Sequence, residues 1–306
     1  MNKKKRNFKW VFLIVFIIVI IFLISYFGAK SIGKKPFEEK IAVIPINGVI
    51  SADGARFSFE SGVSSSLIVD FIEKANEDKS IKGIILEINS PGGSVVASKE
   101  IANAVENCDK PVVAWIRETG ASGGYWIASS ADKIIADPLS ITGSIGVVGS
   151  YLEFSGFMEE WGIGYEELKT GNYKDTGSPF RELREDEKKI LQGKLEIIHD
   201  FFVREVARNR GLEVSQMDKI SDGMFLLGEE AKELGLVDYL GGKDEAKRVI
   251  KELTGAENIK LVSYKKKTTI FDLFGGISMT NSYFMGRGIG SEMYKSMTEN
   301  RFSLMV

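Results

Sequence analysis

The chain has 306 residues, a formal net charge of −2, and 44% hydrophobic and 27% charged residues. That profile suits one large or two ordinary globular domains with a real core and excludes a disordered chain. Near-neutral charge with dispersed basic residues excludes the footprint of a nucleic-acid binder, and one cysteine (Cys108) with one histidine (His199) leaves neither an internal disulfide nor a Cys/His metal cluster, so no metal or other cofactor is expected.

Residues 1–9 form a basic segment, with Lys3, Lys4, Lys5, Arg6 and Lys9, ahead of Trp10 to Ala29, twenty residues without a charge. A helix of that length spans roughly 30 Å, one hydrocarbon core. The run exceeds the apolar core of a cleaved signal peptide, so 10–29 reads as a retained transmembrane signal anchor, although Ala29-Lys30-Ser31 is a weak cleavage-site match. Positive charge before it places the N-terminus in the cytoplasm and the remainder outside the cell membrane. Residues 30–40, polar with Gly33 and Pro36, read as a stalk.

From Ile41 the pattern changes. Ile41 to Ile46 reads as a strand, Ser64 to Asp78 as a helix with Leu67, Ile68, Phe71, Ile72 and Ala75 at helical spacing, and Ile81 to Asn89 as a buried strand ending in Ser90-Pro91-Gly92-Gly93-Ser94. The order continues with a helix over 95–106, whose end Cys108 fills, and a strand from Pro111 to Ile116. A glycine-rich turn carrying Ser122, a short helix to about Ser130, and a strand over 132–137 complete this half. A long amphipathic helix over 184–209 stops at Gly211, shorter helices follow at 229–234 and 243–253, and Ile259 to Tyr264 is a last strand. Strands alternating with helices indicate an α/β domain over 41–264 with a largely parallel sheet, in which catalytic groups belong at strand-to-helix turns. Residues 265–306, with Lys265-Lys266-Lys267 and scattered glycines, read as a loosely structured C-terminal tail.

Two such turns carry chemistry. Gly120-Ala121-Ser122-Gly123-Gly124 can project a serine hydroxyl from a tight turn, with the following amide, Gly123, aimed at an oxyanion; the competing reading is a helix N-cap serine. The Pro91-Gly92-Gly93 loop offers further amides, Gly92 and Gly93, and lacks the Gly-Lys-Ser/Thr of a phosphate-binding loop. A serine nucleophile needs a base, and Lys174 in Gly171-Asn172-Tyr173-Lys174-Asp175 is the better candidate, with Ser144 in Thr142-Gly143-Ser144-Ile145-Gly146 placed to orient its amine. An amine held uncharged near neutral pH is disfavoured by roughly 4–5 kcal/mol in water, so the expectation is a buried, hydrogen-bonded lysine.

Taken together and in order, Asn89 to Ser94, Gly120 to Tyr125, Thr142 to Gly146 and Gly171 to Asp175 resemble the motifs of the signal peptide peptidase A family in its short, single-domain bacterial form, as do Asp222-Gly223 and Leu236-Val237-Asp238. The resemblance covers about Ile41 to Tyr264. It implies a Clp-protease/crotonase-like fold of repeated ββα units behind the anchor, and a membrane-anchored serine endopeptidase with Ser122 as nucleophile, Lys174 as base and Ser144 assisting. Cleaved signal peptides and other short or unfolded peptides are the implied substrates. A homo-oligomeric ring or bowl, an octamer being one form, is implied as well, with Ser122 and Lys174 contributed by neighbouring subunits. The tail is poorly covered by the resemblance and is expected in or near the peptide cleft.

Three other readings share parts of this pattern. An α/β-hydrolase-type esterase would use the same Gly-x-Ser-x-Gly run with a histidine base, which only His199 could supply; within the long helix it reads as a structural or surface residue. A crotonase-type acyl-CoA enzyme would share fold and oxyanion loops without the serine or lysine, and an inactive membrane scaffold would need neither.

Overall fold

The computed structural model describes residues 15–23, 38–53 and 62–265. Residues 15–23 are helical (α1) and exposed. The rest of the expected anchor, residues 30–37 of the stalk, and the tail beyond Lys265 lie outside the described residues, among which no helix is long and apolar enough to cross a membrane. The chain divides after Tyr264, and the architecture below is that of the first unit.

Among the described residues ten strands follow in chain order: β1 (Glu39–Asn47), β2 (Val49–Ser51), β3 (Gly62–Ser64), β4 (Ile81–Ser90), β5 (Val112–Ala121), β6 (Lys133–Ala136), β7 (Ile141–Gly143), β8 (Phe225–Leu227), β9 (Tyr239–Leu240) and β10 (Ile259–Ser263). The helices are α2 (Ser65–Glu77), α3 (Val95–Glu106), α4 (Gly123–Ser129), α5 (Ser155–Glu160), α6 (Glu185–Arg210), α7 (Val214–Met217), α8 (Gly228–Glu233) and α9 (Lys243–Thr254). The main sheet runs β10-β1-β4-β5-β6-β9, all parallel; β7 adds in parallel at the end of β5 and pairs antiparallel with β8. β2 and β3 form a separate parallel pair.

Side-chain alternation divides the core between the two faces of the sheet. Ala42, Ile44 and Ile46 of β1, Ile84, Leu86 and Ile88 of β4, and Val112, Ala114 and Ile116 of β5 join residues of α2, α3, α4 and α6 in the larger cluster. Ile41, Val43, Ile85, Val113 and Ile135 face the other way, onto Ala246, Val249 and Ile250 of α9. Strands buried on both faces read as continuous apolar runs, which is why β1 and β4 were visible in sequence.

β5 extends to Ala121, five residues past the expected end, because Ser90 pairs with Gly120 and β7 pairs with Thr119 to Ala121. β4 and β5 are neighbours, so their carboxyl ends deliver the Pro91-Gly92-Gly93 loop and Ser122 side by side. Stacking of Trp126 in α4 on Phe202 in α6, with centroids 4.5 Å apart, ties the helix after Ser122 to the longest helix.

Candidate active site

Ser122 is the single residue between β5 and α4. Its φ of 51° and ψ of −122° place a non-glycine residue where the cost is on the order of 1–3 kcal/mol. The turn is held from both sides: its amide donates to the Gly143 carbonyl (2.8 Å), and its carbonyl accepts from the Trp126 amide (2.9 Å). Ser122 stands at the N-cap position of α4, but its hydroxyl makes no capping bond to the helix.

The glycine loop lies directly against this turn. A β-carbon on Gly92, whose φ is 99°, would stand 2.7 Å from the Gly123 nitrogen and 2.9 Å from the Ser122 β-carbon; one on Gly93 would stand 2.1 Å from the Ile50 carbonyl oxygen. The structure corrects one expectation here. The Gly92 amide is committed to Ser90 Oγ (3.1 Å), so Gly92 is a residue of close approach, and the amides that remain for an oxyanion are those of Gly93 and Gly123. Among the described residues, neither donates to a backbone carbonyl.

Ser144 lies across the same cleft, also at positive φ (49°). Its hydroxyl donates to the Gly223 carbonyl (3.1 Å) and its amide to the Met224 carbonyl (3.1 Å). The cleft, about 600 Å³, is lined by Pro91, Ser122, Ser144 and Ser221 to Gly223, with one face of α6 as its wall.

Lys174 is not among the residues lining this cleft. It is exposed, in the turn between α5 and α6, and the expected burial is not met within one chain. The reason is the arm that carries it. α5 buries none of its residues, and Leu168 (98% exposed), Val148 (88%), Leu152 (73%) and Trp161 (69%) leave this arm without an apolar surround. Exposed apolar side chains gathered on one arm are a feature that interaction faces share.

Comparison with known proteins decides the family. The family model of peptidase family S49 matches residues 104–257, and that of ClpP-like SDH-type serine proteinases matches residues 48–152. A protein named as a protease in Methanocaldococcus jannaschii is 34% identical over 297 residues, covering 92% of this chain and 94% of its own. A protein named signal peptide peptidase in Enterococcus faecium is 35% identical, covering 80% and 74%. Protease 4 of Haemophilus influenzae is 39% identical over 210 residues, 68% of this chain but 34% of that longer protein.

The chain belongs to peptidase family S49.

As an S49 serine peptidase it has the mixed α/β, ClpP-like fold that the motif resemblance implied. Sequence reasoning missed the cleft wall. Gln192, Leu195, Glu196 and His199 of α6 line the cleft with Ser122, and their spacing of three, four and seven residues is the signal of one helix face; the mixture of polar and apolar types concealed it. His199 is thus nearer the site than its mid-helix position suggested. Its Nε2 lies 2.7 Å from the Ser221 carbonyl oxygen. A carbonyl can only accept, so Nε2 carries a proton and is not available to take one from Ser122.

Proposed function

We propose that this S49 peptidase is a Ser–Lys endopeptidase in which Ser122 of one copy is activated by Lys174 of a neighbouring copy. The observation that carries the reading is the division of the site: a strained Ser122 beside the free Gly93 and Gly123 amides and Ser144 in one cleft, and Lys174 exposed on an apolar arm. In a head-to-tail ring each interface joins different surfaces of the two copies, so one can offer the serine where the next offers the lysine.

In this mechanism the uncharged Lys174 amine takes the proton of Ser122 Oγ as Oγ bonds to the scissile carbonyl carbon. Negative charge passes to the carbonyl oxygen, which accepts from Gly93 and Gly123; each such donor is worth about 2.7–4 kcal/mol in the transition state. The lysine ammonium then protonates the leaving amine, the peptide bond breaks, and water hydrolyses the acyl-serine with the lysine again as base. Ser144, whose hydroxyl oxygen retains acceptor capacity, receives an ammonium hydrogen and holds Lys174 in register.

The substrates we infer are short or unfolded peptides, cleaved signal peptides among them; the name of the Enterococcus relative supports signal peptides, and that of the Haemophilus relative supports proteolysis alone. The uncharged run 10–29 behind five positive charges supports a membrane anchor with the domain outside. Protease added to wall-less cells should reach the domain; protection until lysis would overturn that orientation.

Mixing Ser122→Ala with Lys174→Ala tests the shared site. Each alone should be nearly inactive, since nucleophile and base act as one unit, and random co-assembly should restore about a quarter of the wild-type activity. Mixtures as inactive as their parents, with subunit exchange verified, would sink it.

A further inference from the structure

Lys174 makes no side-chain hydrogen bond or ion pair among the described residues, yet the residues on both sides of it are tethered. The Asn172 carbonyl accepts from Arg184 Nη2 (3.0 Å), and the Arg184 guanidinium lies over the Tyr173 ring, 5.5 Å from its centroid. Asp175 pairs with Lys169 (2.6 Å) and with Arg181 Nε. The Thr176 hydroxyl donates to Glu187 Oε1 (2.9 Å).

These tethers converge on Glu187, in the first turn of α6. Its side chain is fully buried although it adjoins a largely exposed arm. Both carboxylate oxygens accept from the Arg181 guanidinium, Oε2 from Nη1 (2.9 Å) and Oε1 from Nη2 (2.7 Å), and Oε2 also accepts from the Arg184 amide (2.9 Å). A buried carboxylate persists only where it is fully paired, and this one is. Arg181 therefore bridges two acids, Asp175 through Nε and Glu187 through both Nη atoms, a geometry that a fork-shaped guanidinium can satisfy and an ammonium cannot.

We propose that Arg181 is a positioning residue for Lys174: clamped between Asp175 and Glu187, it fixes the turn that presents the lysine, in its final geometry, to a neighbouring copy. The inference rests on the reading of Lys174 as the base. A preformed turn spares the ordering of a loop during assembly and places the amine within the narrow tolerance that proton transfer demands.

The test is a double-mutant cycle on the full chain, with kcat and KM for a short peptide and the rate of Ser122 labelling by a fluorophosphonate. Arg181→Gln should lower kcat about ten- to a hundred-fold with KM and self-association unchanged, and should slow labelling in the wild-type background. In the Lys174→Ala background it should slow labelling no further, because a residue that acts through Lys174 has nothing left to position. Arg181→Lys should not rescue. Undiminished kcat, or a loss that adds in full to that of Lys174→Ala, overturns the inference. Should Arg181→Gln fail to fold or assemble, Asp175→Asn, which keeps the Arg181–Glu187 fork, is read in the same cycle by the same criteria. Full activity in Lys174→Ala would instead remove the base assignment and this inference with it; an inactive Lys174→Ala beside a fully active Arg181→Gln removes this inference alone.

Discussion

The Ser122 amide donates to the carbonyl of Gly143, the residue before Ser144, across 2.8 Å. One backbone hydrogen bond thus sets the spacing of the two cleft serines and holds Ser122 at a φ it would not adopt unaided. β7 is the shared support, paired with β5 on one side and β8 on the other.

Close packing of the glycine loop on that turn makes Gly92→Ala a sensitive probe. The added methyl would stand 2.7 Å from the Gly123 nitrogen, so the loop and the Ser122 turn must separate and the proposed oxyanion donors move with them. We expect kcat to fall by about a hundred-fold or more, in line with loss of one oxyanion donor, with KM little changed. An alanine variant of wild-type kcat would show that the loop donates nothing in the transition state.

His199→Gln should keep kcat/KM within about three-fold of wild type, since glutamine can still donate an amide hydrogen to the Ser221 carbonyl. His199→Ala should lose more, through the Ser221 to Gly223 segment against which Ser144 leans. A folded but inactive His199→Gln together with an active Lys174→Ala would restore a histidine base.

Much of the frame was legible in the sequence, and for particular reasons. The helix over 95–106 matched its predicted bounds, where small and branched apolar residues recur at helical spacing, and β1 and β4 announced themselves by dense apolar stretches, Ile41 to Ile46 and Ile84 to Leu86. By contrast β2, β7, β8 and β9 have two or three residues each, too few for any period to register; β7 and β9 form on the edges of the longer β5 and β6, and β2 and β8 pair with strands as short as themselves. The glycine-flanked serine was readable because tight turns demand glycine. Which of the Gly92 and Gly93 amides is taken up locally was not, because it depends on which amide the Ser90 hydroxyl reaches. Nor was the exposure of Lys174, which follows from a long-range fact: its arm leaves the sheet, is tied to its own unit through the start of α6, and leaves α5, Leu152, Trp161 and Leu168 uncovered.

That arm gives a prediction about association. Leu168→Asp and Trp161→Asp alter side chains that are 98% and 69% exposed, so the isolated fold should change by no more than about 0.5 kcal/mol. If the arm is covered by a second copy, sedimentation should show association moving to higher protein concentration, and specific activity should fall in step. Unchanged association in the double variant would leave the arm without that partner.

The Glu187 cluster gives a prediction about acid stability. Arg181 first, then the Arg184 amide and Thr176, hold the Glu187 carboxyl at about 2, down from its ordinary 4.5, against the opposing effect of desolvation. A depressed value in the folded state contributes stability that is complete above 4.5 and is lost as pH falls toward 2. The gap in melting temperature between wild type and Glu187→Gln should therefore be constant above about pH 5 and close progressively below 4.5. A gap independent of pH over that range would show that the carboxylate charge is not what the fold uses.

Ser122 and Ser144 both stand at positive φ, 51° and 49°, which is hostile to branching at the β-carbon. Threonine carries the same hydroxyl and would serve the same chemistry, yet its extra methyl makes it a severe outlier at both places. Cysteine, unbranched, fits the backbone while changing the nucleophile. Hydroxyl identity at the two positions is thus decided by torsion angles rather than by reactivity, and the site's tolerance of replacement runs opposite to ordinary chemical similarity.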